Sequence, residues 1–237
     1  MSSAIILAAG KSTRMKSDVN KHLHIVHNKT ILEHIVETVS KIADERIVVV
    51  VGHQKERIIE SLGKFKRVIF VHQTEQLGTG HAVLVCKDTF AHTKGAVFII
   101  PGDTPFIKPE TLRRMQKIFD ETQSLITLLT ARVDKPHSYG RIVMHKTGKI
   151  KKIVEARDAT RQELTINHIN AAIYLADVHF LFEALAKVSN LNDQKEYYLT
   201  DIVEQASRME KVSYLEVDEN EIVGINTMED LERARNL

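Results

Sequence analysis

The chain has 237 residues, 43% of them hydrophobic, with 33 Lys and Arg against 31 Asp and Glu and a formal net charge of +2. That length and apolar content suit one large α/β domain with a full core, spanning residues 1–237, and give no expectation of a second independent one. The near-neutral balance excludes a general polyanion binder, nucleic acid included, and confines any basic site to a local patch.

The first apolar run, residues 4–7, reads as a buried strand. It is too short to cross a bilayer and no basic segment precedes it, so a cytoplasmic protein is expected, without signal peptide or membrane partner. Ala8, Ala9 and Gly10 follow, then Lys11, Arg14 and Lys21. Small residues keep side chains clear, Gly10 suits a tight turn, and exposed amides with three cations suit phosphate. A solvated loop is the plainer alternative. The string lacks the spacing of a Walker loop and of a Gly-x-Gly-x-x-Gly fingerprint. His22, His24 and His27 come nearest to a metal pattern, two of them sharing a face if the segment is extended. With no cysteine or acidic cluster beside them, zinc is not expected.

Strands are expected over 46–51, 67–72 and 96–101, alternating with helices over 31–42, 56–62, 80–90 and 109–121. In the first helix Ile31, Leu32, Ile35, Val36, Val39 and Ile42 share a stripe, with Glu33, Glu37 and Lys41 on the wet side. Continuously apolar strands alternating with helices imply a mostly parallel sheet covered on both faces, with ligands beyond the carboxyl ends of its strands. Between strand 67–72 and the next helix lie Gln73, Gln76, Gly78 and Thr79. Two amides that donate and accept, beside a glycine permitting close approach, suit a flat heterocycle; a simple helix start is the alternative. The single cysteine, Cys86, falls in an apolar helical stretch and reads as an inert buried thiol. Asp103 lies just past strand 96–101, where a carboxylate suits a divalent cation or, alternatively, caps the helix that begins near Pro109.

After residue 124 the pattern changes. A strand over 124–130 and a turn over 134–140 precede a hairpin, 141–145 and 149–155, which together suggest a small inserted β lobe around 131–170. A strand over 166–175, helices over 178–187 and 196–207, a strand over 212–217 and a helix over 227–236 complete the chain. Tyr197 and Tyr198 read as core or pocket wall.

Six strings, taken together and in order, resemble the uridylyltransferase domain of bacterial N-acetylglucosamine-1-phosphate uridylyltransferases. They are Leu7-Ala-Ala-Gly-Lys-Ser-Thr-Arg-Met-Lys-Ser17, Gln73-Thr-Glu-Gln-Leu-Gly-Thr-Gly-His-Ala82, Gly102-Asp-Thr-Pro105, Tyr139-Gly-Arg-Ile142, Ile153-Val-Glu-Ala-Arg-Asp-Ala-Thr160 and Glu196-Tyr-Tyr-Leu-Thr-Asp201. The resemblance implies a Rossmann-like sheet of the nucleotide-diphospho-sugar transferase type and transfer of uridylyl from UTP to a hexosamine 1-phosphate with Mg2+. It also implies roles by position. Leu7, Ala8, Ala9 and Gly10 with Lys11 and Arg14 correspond to the triphosphate cradle, and Lys21 to the sugar-phosphate lysine. Gln73, Gln76, Gly78 and Thr79 correspond to the uracil-reading segment, Gly102 and Asp103 to the ribose and metal turn, and Asn226 to a second metal ligand. Gly140, Glu155 and Asn170 correspond to sugar contacts. The resemblance leaves the oligomeric state open.

The chain departs from that pattern in places. Asn20 replaces a proline before the lysine, which is expected to loosen the turn, and Pro101 replaces an aromatic residue. Ala171 and Ala172 replace Thr-Gly at the sugar pocket, removing a hydroxyl and adding a methyl group. No segment resembles the family's second, left-handed β-helix domain, so acetyl transfer is not expected.

Overall fold

The computed structural model describes residues 2–236. Its central sheet grows from β1 (Ser2–Ala8), paired in parallel with β4 (Ile47–Val51) on one side and β6 (Ala96–Pro101) on the other. Beyond β4 lies β5 (Val68–His72), again parallel. Beyond β6 runs β10 (His168–Asp177), antiparallel, then β7 (Ile126–Arg132) and β11 (Val212–Val217), giving the order β11-β7-β10-β6-β1-β4-β5. The register aligns Leu7 with Pro101, Ala8 with Val51, and Val51 with His72. Four parallel strands therefore end along one rim, and the loops that follow them stand side by side.

Both faces of the sheet are covered, which is why these strands carry no alternation of polar residues. Ala4, Ile6 and Ala8 pack with α1 (Ile31–Ser40), α2 (Lys55–Ser61), α4 (Pro109–Thr122) and α8 (Met228–Arg235). Ile5 and Ala9 face α3 (Thr79–Leu84), α6 (Val178–Leu185) and α7 (Asp201–Arg208). Helix α1 starts at a reciprocal cap in which Thr30 Oγ1 accepts the Glu33 N–H and Glu33 accepts the Thr30 N–H. Such a cap stabilises a helix by about 1 kcal/mol. No helix among the described residues is long and apolar enough to cross a membrane.

Cys86 is fully buried on the α3 side, and burial pushes its thiol up to about 12. The thiolate is the reactive form. An alkylating reagent at pH 8 is thus expected to leave Cys86 untouched in the folded protein and to modify it in denaturant; mass spectrometry reads the difference.

Several elements differ from the sequence expectation for identifiable reasons. The helix expected over 80–90 ends at Leu84 and closes in a 3₁₀ turn at Lys87–Phe90. The helix expected over 196–207 starts only at Asp201, because Tyr197 uses its N–H and carbonyl elsewhere, on Leu77 O at 2.8 Å and Gly80 N at 2.7 Å. The segment holding His22, His24 and His27 is not one extended strand. His22 sits in a 3₁₀ turn at Lys21–Leu23, while His27 and Asn28, both with positive φ, form the turn of a hairpin joining β2 (Ile25–Val26) to β3 (Lys29–Thr30). Neither β2 nor β3 was expected, nor was α5 (Arg161–Leu164), although Thr160 and Glu163 form a capping box.

The expected hairpin is β8 (Arg141–Met144) with β9 (Ile150–Val154), attached to the sheet through Arg141 opposite Ile169 in β10. Strand β10 bulges between Asn170 and Tyr174. Within that bulge Ala171 is buried in the core on the α4 side, and Ala172 is exposed with φ 57°. The missing hydroxyl at 171 thus bears on core packing, while position 172 requires the left-handed backbone that glycine adopts freely. Ala172→Gly is expected to raise the unfolding free energy by about 0.5–1 kcal/mol, the relief of that conformation less the added chain entropy, as read from urea unfolding.

Candidate active site

The rim gathers the sequence-predicted residues. Gly102 N–H donates to Leu7 O at 2.9 Å, His53 N–H to Ala9 O at 3.2 Å, and Gln73 N–H to Val51 O at 2.8 Å. Four post-strand loops are thereby tied to one another. They enclose a cavity of about 290 Å³ lined by, among others, Gln73, Gln76, Gly78 and Thr79 at one end and Lys21 and Asp103 at the other. Leu7, Ala9, Gly10 and Gly102 form part of the wall between.

The loop after β1 turns differently from its sequence reading. Gly10 does not have a positive φ, and a Cβ there would meet nothing within 4 Å. The left-handed residues are Ser12 and Lys16, which bracket a 3₁₀ turn at Thr13–Met15 anchored by the buried Met15. Lys11 is exposed. Arg14 reaches across the rim and donates to Asn226 Oδ1 at 2.9 Å.

Lys21 is the centre of the charged end. Its Nζ lies 2.5 Å from Asp103 Oδ2 and 2.9 Å from Asn226 Oδ1, joining residues far apart in the chain. Asp103 therefore does not cap α4, whose first turn begins with Lys108 and Pro109. Burial opposes ionisation of Asp103, but Lys21, helped by Arg14, outweighs it and holds the carboxyl below its ordinary value. Asn226 is held by the cap of α8: its N–H donates to Asp230 Oδ2 at 3.1 Å, beside the Thr227 N–H at 2.9 Å. The adjacent Ile225 N–H donates to Asp103 O at 2.9 Å.

Asn20 does not loosen the turn before Lys21. Its N–H donates to Gln54 Oε1 at 3.1 Å, its Nδ2 to His53 O at 3.0 Å, and its Oδ1 accepts the His22 N–H at 3.1 Å. A buried amide network thus fixes the backbone where a ring was expected to do so.

At the other end Gly78 has φ 103°, and a Cβ there would lie 2.8 Å from both Tyr197 O and Glu196 Cβ. Glycine serves both the helix start and the close approach. Thr79 Oγ1 accepts the Leu199 N–H at 3.1 Å, so the segment from Gln76 to Thr79 is clamped by residues 197–199. Gln73 is buried, with Nε2 donating to Gly78 O at 3.3 Å and lying 3.0 Å from His81 Nδ1, which leaves Oε1 as its available acceptor.

Gly140, Glu155 and Asn170 come together but do not line that cavity. Asn170 N–H donates to Gly140 O at 2.9 Å, and a Cβ on Gly140 would lie 3.6 Å from Glu155 Oε2. Glu155 accepts from Thr200 Oγ1 at 3.1 Å, yet burial raises its carboxyl above the ordinary value, with Asp201, Asp158 and Glu196 adding to the rise. The Asn170 side chain is engaged with Tyr174 OH at 2.6 Å and the Ala172 N–H at 3.1 Å. Glu196 lines the nucleotide-sized cavity and was not singled out in the sequence, nor was His22 as a wall residue. The string holding Glu196 was the available signal; for His22 no signal beyond proximity to Lys21 existed.

A mostly parallel α/β sheet whose post-strand loops enclose one cavity bearing a cation and a carboxylate suits a nucleotide-handling domain, and comparison with known proteins gives its class as a nucleotidyltransferase domain. The chain belongs to the MobA-like NTP transferase domain family, whose model matches residues 4–189. It is 40% identical over 233 residues to the bifunctional protein GlmU of Geotalea daltonii, covering 98% of this chain and 51% of that protein. Against the GlmU of Bacillus cytotoxicus it is 46% identical over 201 residues, covering 85% and 43%. The chain thus spans about half the length of these relatives. In fold it is similar to a Bacillus anthracis protein described as a glucose-1-phosphate thymidylyltransferase, with TM-score 0.81, 21% identity, and 100% and 94% of the two chains covered. A UDP-glucose pyrophosphorylase complexed with UDP-glucose gives 0.80, 18%, 100% and 97%.

Proposed function

We propose that the chain transfers uridylyl from UTP to N-acetylglucosamine 1-phosphate, releasing pyrophosphate. The observation that carries this reading is that Lys21 and Asp103, with Asn226 bound to the same ammonium, line one cavity with Gln73, Gln76, Gly78 and Thr79. An imide such as uracil offers an N–H donor between two carbonyls, which the Gln73 Oε1 acceptor and the amide donors around it complement. The family resemblance and the GlmU relatives support the uridylyl and sugar assignments.

The reaction forms a bond from a sugar-phosphate oxygen to the α-phosphorus and breaks the bond to pyrophosphate, so no protein nucleophile is required. Two anions must approach, and preplaced cations lower that barrier. Lys21 would neutralise the entering phosphate, and by the resemblance Arg14 and Lys11 would hold the departing oxygens. Asp103 and Asn226 fit Mg2+: two hard oxygens already converge on one cation, the Lys21 ammonium. Bound there, the metal would supply electrostatic stabilisation of the transferring phosphoryl group. The resemblance gives the sugar to Gly140, Glu155 and Asn170; of these the Glu155 carboxylate is the group suited to accept from its hydroxyls, the Asn170 amide being engaged with Tyr174 and Ala172.

Pyrophosphate release with UTP and a panel of sugar 1-phosphates tests the reading. N-acetylglucosamine 1-phosphate should be turned over best, and only with Mg2+. Comparable or better use of glucose or galactosamine 1-phosphate would replace the sugar assignment. No release with any sugar phosphate would leave a nucleotide-sensing module.

A further inference from the structure

The cavity wall beside Lys21 and Asp103 includes Pro101, Gly102 and His22, the last two adjoining Asp103 and Lys21 in the chain. His22 is 2% exposed. Its Nδ1 lies 2.8 Å from Asn20 Oδ1, the oxygen that also accepts the His22 backbone N–H at 3.1 Å. The orientation of that amide is fixed from its other end, where Nδ2 donates to His53 O at 3.0 Å. An oxygen facing Nδ1 requires Nδ1 to carry the hydrogen, so the neutral ring presents a bare lone pair at Nε2.

Among the described residues no hydrogen bond reaches that nitrogen. The ring edge lies against Gly102, where a Cβ would stand 2.9 Å from Nε2 and 3.0 Å from Cδ2 as well as 2.8 Å from Leu7 O. Glycine at 102 thus leaves the histidine edge uncovered. Burial, reinforced by the neighbouring Lys21 ammonium, lowers the imidazole to about 3 and keeps it uncharged.

In a nucleoside triphosphate the sugar joins the base to the phosphates, and its hydroxyls are donors. We propose that His22 Nε2 accepts a hydrogen bond from a ribose hydroxyl of the bound nucleotide. The proposal rests on the nucleotide-site reading above. Asn20 then acts as a positioning residue, locking the tautomer that makes His22 an acceptor.

Titration calorimetry with UTP, 2′-deoxy-UTP and 3′-deoxy-UTP in Mg2+ tests it, using the full chain and His22→Leu. The unmodified protein should bind UTP about 5- to 10-fold more tightly than one of the two deoxy analogues, the worth of one hydrogen bond. His22→Leu should bind UTP and that analogue equally, with its affinity for the analogue unchanged. Equal binding of all three nucleotides by the unmodified protein overturns the proposal without recourse to the variant. So does a folded His22→Leu that keeps the full preference. Failure of UTP and every other nucleoside triphosphate to bind overturns the nucleotide site itself, and this contact with it.

Discussion

Asp103→Ala is expected to lower kcat/KM for pyrophosphate release by about 10²-fold or more while far-ultraviolet circular dichroism stays unchanged. The factor corresponds to about 2.7 kcal/mol of transition-state stabilisation, a magnitude that one cation held by Asp103 beside the phosphoryl group would supply. Among the described residues Asp103 is the one carboxylate that touches Lys21, and Asn226 supplies only a neutral oxygen to the same ammonium. Stability should suffer less than activity. The carboxylate side chain is 15% exposed, so losing it costs about 1–3 kcal/mol, below the loss seen for a fully buried pair. Asp103→Asn separates shape from charge. It keeps the volume and an oxygen, and it should be nearly as slow as the alanine variant; activity close to the unmodified protein would remove the carboxylate from the mechanism.

Lys21→Met should lower kcat about 10²- to 10³-fold and should also change how the protein responds to Mg2+. Without the ammonium, Asp103 Oδ2 and Asn226 Oδ1 lose the cation on which both converge. The variant therefore melts at a lower temperature in the absence of metal, by an amount corresponding to about 1–3 kcal/mol. Because ammonium and divalent cation compete for the same oxygens, Mg2+ should raise the melting temperature of Lys21→Met more than that of the unmodified protein. Equal shifts in the two proteins would place the metal elsewhere. The same scan with Ca2+ distinguishes a demand for charge from a demand for octahedral coordination.

How much of this was legible in the sequence depended on the kind of force involved. Strands β1, β4 and β6 announce themselves because both of their faces are buried, and uninterrupted apolar runs have few other uses. The parallel rim follows from the alternation of those runs with helices, and with it the meeting of Gly10, Gln73 and Asp103. Lys21 was legible as a cation of the phosphate loop, whereas Asn226 was brought to the site by resemblance, since no local pattern says that residues 205 apart meet. The misread elements were those whose backbone is committed to distant partners. Tyr197 is helix-compatible by composition, yet its peptide groups clamp Leu77 and Gly80. Asn20 looks like a loosened proline site until His53 and Gln54 arrive from the next loop to bind its amide. By contrast α5 was missed although its capping box is written in Thr160 and Glu163, a purely local signal.

The cap of the final helix α8 fixes Asn226, and Asn226 shares its oxygen with Arg14 and Lys21 from the opening loop. On the ribosome, the N-terminal strands and their cations emerge long before the residue that gathers them. A growing polypeptide can hence bury most of its core while its charged cluster is still unassembled. Translation that stops ahead of position 226 leaves Arg14 and Lys21 without the neutral oxygen they share and Asp103 alone to hold the Lys21 ammonium, so premature termination is felt at the centre of the site rather than at its periphery.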